Sequence, residues 1–146
     1  MGKDIVLAID DNPNRYWELS LRLRNYNIAV CCLQNPHGAE ILLDSDRVLT
    51  VLLNHDLPSL IQDPYWDRCS ELAPFTHKYD GRYFAKEILA PRKIPTIIVA
   101  SVRPEAAALA RIFHERGAPH TSISLANPEA DREWLDFILG VRSAGV

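Results

Sequence analysis

Val51-Leu52-Leu53-Asn54-His55-Asp56-Leu57-Pro58 is the stretch from which the rest of the chain can be read. An apolar run, oily on both faces, ends in three polar residues and a proline. That pattern predicts a strand buried in a parallel sheet and closed by a turn. Ligands of open α/β sheets bind outside the carboxyl ends of the strands. Asn54, His55 and Asp56 are therefore candidate site residues. If strand geometry persists, 54 and 56 share one face and 55 takes the other. An earlier stretch has the same form, Ile5-Val6-Leu7-Ala8-Ile9-Asp10-Asp11-Asn12-Pro13, and delivers Asp10 and Asp11 in the same way.

Working outward, strands and helices alternate. Pro13 sits where a helix starts, and Tyr16, Trp17, Leu19, Leu21 and Leu23 follow with roughly helical spacing to about Arg24. Ile28 to Leu33 reads as a second strand, Ala39 to Leu43 as a short helix and Val48 to Leu53 as the third strand. Pro58 to Tyr79 holds no clean period, and a structureless loop of that length would be unusual. It is expected to be an ordered insertion whose aromatics, Tyr65, Trp66 and Phe75, anchor the loop or roof a pocket. A third helix starts at Asp80-Gly81 and is stopped by Pro91. Ile94 to Val99 gives the fourth strand. Pro104 to Arg116 gives a helix with Ala107, Leu109, Ile112 and Phe113 inward, and Gly117 caps it. His120 to Leu125 is the fifth strand. The last helix carries Trp134, Leu135, Ile138 and Leu139 inward.

Such alternation predicts the α/β class, a doubly wound, five-stranded parallel sheet of flavodoxin-like order 2-1-3-4-5. Its switch point lies between strands one and three, where Asp10, Asp11, Asn54, His55 and Asp56 converge. The 146 residues fit a single domain over 1–146, with the insertion at about 58–79. The formal net charge of −3 argues against a partner in duplex nucleic acid, which calls for a basic face. No apolar run approaches a membrane span and no secretory leader is legible. Cys31, Cys32 and Cys69 show no ligand or redox spacing, and reduced, half-buried thiols in a cytoplasmic protein are expected.

The chain resembles the receiver domain of bacterial response regulators over nearly its whole length, from Asp4 to about Leu139. Ile9-Asp10-Asp11 is similar to the receiver acidic pair. Leu52-Leu53-Asn54-His55-Asp56-Leu57-Pro58 is similar to the segment that carries the phospho-acceptor. Asp80-Gly81, Gly117-Ala118 and Asn127-Pro128 resemble the Asp-Gly, Gly-Ala and Lys-Pro of later receiver segments. The acceptor position holds Asn54 and the Lys position Asn127, and an amide cannot form the acyl phosphate that a carboxylate forms. Leu53-Asn54-His55-Asp56-Leu57 is closer to the cyclic-phosphate-processing receivers. Ala100-Ser101-Val102-Arg103-Pro104 keeps the Ser and Pro of their fourth-strand motif. The resemblance implies a divalent metal, a cyclic phosphate ester, a cis bond before Pro128, and a homodimer through the fourth-helix to fifth-strand face.

Each residue type has chemistry to match. Adjacent acids at a strand end repel unless a cation or hydrogen bonds offset them. Asp10 and Asp11, with Asn54 and Asp56, could hold Mg²⁺ or Mn²⁺, or Asp10 and Asp11 could cap a turn. His55 could move a proton with Asp56 beside it, or bond a neighbouring loop. Ser101 and Arg103 before a Pro104 helix start suit phosphate oxygens, with Asn127 at the receiver Lys position. Two functions follow: a metal-dependent protein binding or processing a phosphate-containing small molecule, or a phosphorylation-incompetent pseudo-receiver that binds a signalling protein.

Overall fold

Strands β1 (Ile5–Ile9) and β3 (Val48–Leu53) form the centre of a parallel sheet of order β2-β1-β3-β4-β5, completed by β2 (Ala29–Leu33), β4 (Thr96–Ile98) and β5 (His120–Ser122). The structure is a computed structural model that describes residues 2–10, 12–33, 38–54, 84–99 and 103–144. The predicted class and strand order are those observed. Every residue of β3 is buried, Thr50 included, as befits an almost wholly apolar strand covered on both faces.

The covering helices are α1 (Trp17–Arg24), α2 (Ala39–Asp44), α3 (Ala90–Arg92), α4 (Arg103–Glu115) and α5 (Ala130–Ser143). Leu19 and Leu23 of α1 and Trp134 and Ile138 of α5 pack against Val6, Ala8 and Leu52 on one face. Ala39 and Leu43 of α2, with Leu89, Ala90, Leu109 and Phe113, pack against Leu7, Ile9 and Leu53 on the other. Successive residues of β1 therefore feed opposite cores, as the pleat demands.

Several local expectations are corrected. Trp17 and Leu21 are exposed, because Tyr16, Leu19 and Leu23 already define the inward face of a helix only eight residues long. Ala107 is exposed for the same reason, since Leu109 and Phe113 set the inward face of α4. Pro91 does not stop the third helix. A π-helical segment, Ala85–Leu89, precedes it, and the Ala90 N–H donates five residues back to the Ala85 carbonyl. The wider turn takes a ring that would clash in a regular helix, and the chain stays helical to Arg92. Lys93, at φ 53°, then caps it. Gly117 caps α4 as expected, at φ 64°, with the Ala118 N–H donating to the Phe113 carbonyl at 2.9 Å.

The bond before Pro128 is trans, as is every peptide bond among the described residues. The carbonyl of Asn127 accepts from the Ala130 N–H at 3.1 Å, and Glu129 lies at φ −100°, ψ 13°. That is a type I turn with Asn first and Pro second, a place where a trans proline is favoured.

Candidate functional site

β1 and β3 are neighbours with Ile9 opposite Leu53, so the residues that follow them emerge at one edge. The Asn54 N–H donates to the Ile9 carbonyl at 3.0 Å, and the Asp10 N–H donates to the Leu33 carbonyl at 3.0 Å. Asp10 and Asn54 thus sit side by side in the chain order at the switch point. Both are buried, Asp10 completely, and Asn54 is engaged by a partner. Asp11, His55, Asp56 and Ser101 lie outside the described residues. Arg103 is the first residue of α4.

The chain after Asp10 folds back onto it. Asn12 caps a 3₁₀ turn, Pro13–Tyr16, by accepting from the Asn14 N–H. At about three residues per turn this brings Arg15 and Tyr16 over the strand end. Arg15 Nη1 reaches both carboxylate oxygens of Asp10, at 3.1 and 3.2 Å. The Tyr16 hydroxyl donates to Asp10 Oδ2 at 2.6 Å, and the Asn12 N–H donates to Oδ1 at 3.0 Å. Burial pushes the Tyr16 phenol far above its ordinary range, and the Asp10 charge adds to the shift. Tyr16 is therefore a neutral donor at any physiological pH. Its ring lies 5.4 Å from that of Trp134, centroid to centroid, which ties the cluster to α5.

A carboxylate offers about four lone-pair positions. Each Asp10 oxygen already accepts two bonds. A divalent ion there would have to displace Arg15, and the Asn54 amide brings no charge to help it. Among the described residues, the charge of Asp10 is met by the Arg15 guanidinium; Asp11 and Asp56, the other acids of the expected Mg²⁺ or Mn²⁺ site, lie outside the described residues. Among the described residues no cluster of three acids, histidines or cysteines could hold a metal.

Asn127 spends its side chain inside its own turn. Its Oδ1 accepts from the Glu129 N–H at 2.9 Å, and its Nδ2 donates to the Glu133 carboxylate. Both atoms that could meet a phosphate are turned to starting α5. Cys31 and Cys32 are free and half-buried, and burial raises the Cys32 thiol above its ordinary value.

Sequence reasoning missed Arg15 and Tyr16. The signal was their spacing, five and six residues beyond a strand-ending acid with Pro13 between them. Tyr16 was read only as part of the helical spacing of the first helix, and Arg15 was given no role.

Among the described residues, no helix is long and apolar enough to cross a membrane. No family model matches the chain and no curated protein sequence matches it. Solved structures do. The receiver domain of the Francisella response regulator 1452 is 12% identical over 99% of this chain and 100% of that one, with a TM-score of 0.66. The BeF3-activated N-terminal receiver domain of RstA from Klebsiella pneumoniae is 16% identical over 95% and 99%, at 0.62. HP1043, an orphan response regulator of H. pylori, is 15% identical over 96% and 97%, at 0.55. Likeness at such identities speaks to architecture: this chain has the receiver fold of response regulators.

Proposed function

We propose that the chain is a pseudo-receiver, an interaction module that keeps the receiver fold and binds a signalling protein without phosphorylation. The observation that supports this reading is the closed set of bonds around Asp10. Arg15 supplies the positive charge that an acidic pocket otherwise takes from an ion. Asn54 stands where a nucleophilic carboxylate would be needed, and an amide does not make an acyl phosphate. The alternative, a metal-dependent protein acting on a cyclic phosphate ester, depends on Asp11, His55, Asp56 and Ser101, and asks Arg15 to release Asp10.

Calorimetric titration of Mg²⁺ and Mn²⁺ separates the two. The pseudo-receiver gives no saturable binding up to about 10 mM metal, well beyond the range of weak protein sites. Saturable binding that disappears in Asp10→Ala would overturn the reading and return the phosphate-ester alternative.

A further inference from the structure

The two edges of the sheet are unlike. β5 is three residues long and polar, His120-Thr121-Ser122, a form that resists pairing with another strand. β2 is five residues long and mostly apolar, Ala29-Val30-Cys31-Cys32-Leu33. Its partner β1 runs parallel, from Ile5 opposite Ala29 to Ile9 opposite Leu33. The Ala29 N–H donates to the Asp4 carbonyl at 2.9 Å, and the Leu33 carbonyl accepts from Asp10. Along such a ladder alternate residues serve one neighbour. Ala29, Cys31 and Leu33 therefore bond β1, while Val30 and Cys32 turn their N–H and C=O groups outward. Among the described residues those outward groups have no partner.

The surface beside this edge is also apolar. The exposed large hydrophobic residues among those described are Trp17, Leu21, Tyr26 and Ile41. All lie on α1, the α1–β2 turn or α2, the elements that flank β2 in the chain. α1 belongs to one core and α2 to the other, so these side chains bracket the edge on both faces of the sheet. Trp17, Ser20, Leu21 and Arg24 form one stripe at i, i+3, i+4 and i+7. Ser20 and Arg24 line a 460 Å³ groove with Asn27, Ile28, Ala29 and Val30. Arg24 has no ion pair among the described residues.

We propose that β2 is a dimer interface, pairing antiparallel with β2 of a second copy of this chain about a two-fold axis at Cys31. What selects a second copy is self-complementarity. The outward groups lie symmetrically about Cys31. Val30 of one copy and Cys32 of the other exchange both hydrogen bonds, and the symmetric pair does the same, so no outward group is left over. The charges also match. Along α1 the middle of the stripe lies ~5 Å from Arg24, and along β2 Cys31 lies ~7 Å from Ala29. Arg24 and Ala29 line one groove, so the axis passes near the middle of both elements. Antiparallel α1 helices then set Trp17 against the Arg24 of the second copy, a cation–π pairing, instead of Arg24 against its own image.

Sedimentation equilibrium of the whole chain under reducing conditions tests this, with Val30→Pro as the decisive variant. The Val30 N–H points outward, so proline there removes no bond within the subunit and is tolerated on an edge strand. The wild type is expected to dimerise with concentration, and Val30→Pro to remain monomeric and to melt cooperatively at the temperature of the wild type diluted to monomer. Should Val30→Pro fail to fold, the exposed pair Trp17→Glu and Ile41→Glu must abolish dimerisation in its place. Diamide, which takes up the two protons and two electrons the thiols lose, should capture the dimer through Cys31 in a Cys32→Ser/Cys69→Ser background. There Cys31 faces its own image ~4.5 Å away, Cα to Cα. A wild type that stays monomeric, a dimer that survives these substitutions, or a dimer that Cys31 cannot link would each overturn the proposal.

Discussion

Replacing Arg15 by methionine keeps much of the side chain's bulk and removes its charge. Asp10 is completely buried and would be left with two donors, the Tyr16 hydroxyl and the Asn12 N–H. Removing one member of a fully buried pair costs about 3–5 kcal/mol. Arg15 is 34% exposed, so water can enter the space it leaves and solvate Asp10 in part. The expected loss is therefore below that range, at ~2–3 kcal/mol, and well above the ~0–1 kcal/mol of a surface pair. For a chain of this length that corresponds to a fall of roughly 6–10 °C in melting temperature. Urea unfolding followed by circular dichroism measures it, with an unchanged slope confirming that only stability has moved. The same variant opens Asp10 to an outside cation. A site of millimolar affinity saturated at about 10 mM Mg²⁺ would return ~1.4 kcal/mol. The wild type, whose carboxylate is already engaged, should not respond. A loss under about 0.5 kcal/mol would refute the claim that Arg15 is the resident counter-charge, since that is the range of neutral surface substitutions. A wild type stabilised by Mg²⁺ would refute it equally.

Tyr16→Phe should cost ~1.5–3 kcal/mol, the range for a hydrogen bond to a charged acceptor, and should change the alkaline limb of stability. The folded-state Tyr16 phenol lies above its ordinary value, so its contribution is complete below pH ~10 and lost as pH rises beyond it, when only the unfolded chain ionises. Unfolding free energies measured at pH ~9–11 should therefore fall more steeply for the wild type than for Tyr16→Phe; equal slopes would show that Tyr16 is not held neutral. Asn127→Ala should cost ~1 kcal/mol, the scale of lost side-chain hydrogen bonds, in thermal unfolding. A variant of unchanged stability would show that the turn does not depend on its side chain. Asn54→Asp adds a second buried carboxylate beside Asp10 and should destabilise the metal-free protein by ~1–3 kcal/mol. Mg²⁺ should offset that loss in a thermal shift assay, whereas a neutral outcome without metal would show that the pocket has charge capacity to spare.

The fold was legible because the features that determine it are periodic. Val48 to Leu53 is apolar but for Thr50 and buried throughout, and only a strand covered on both faces has a use for that. The order of the sheet followed from strands alternating with helices and from right-handed connections. What failed was the reach of short-range rules. Pro91 reads as a stop in a regular helix, yet the Ala85–Leu89 segment is wound more widely and carries it. The resemblance suggested a cis bond before Pro128, but the local pair Asn127-Pro128 already specifies a type I turn, and the turn prevails. Trp17 and Leu21 look like core residues by composition, but an eight-residue helix has one inward face and Leu19 and Leu23 fill it.

The placement of Asp10 and Asn54 was legible, and the bonding of Arg15 to Asp10 was not. Strand ends and the switch point located Asp10 and Asn54 correctly, because backbone topology alone decides which edge they reach. Whether Asp10 meets an ion or a side chain depends on where a flexible arginine five residues away comes to rest. No periodicity reports that. Charge balance narrows the choice. A fully buried carboxylate needs a cation or several donors, since isolated burial is prohibitively costly. A pocket with a carboxylate at both strand ends has an excess of negative charge and calls for a divalent ion. At this switch point the second position is Asn54, and the negative charge of Asp10 can be met by the single guanidinium of Arg15. Asn54 and Arg15 are thus two halves of one electrostatic solution. The first is visible in the sequence as a departure from the acceptor pattern. The second becomes visible only when the 3₁₀ turn folds back over the strand that leads into it.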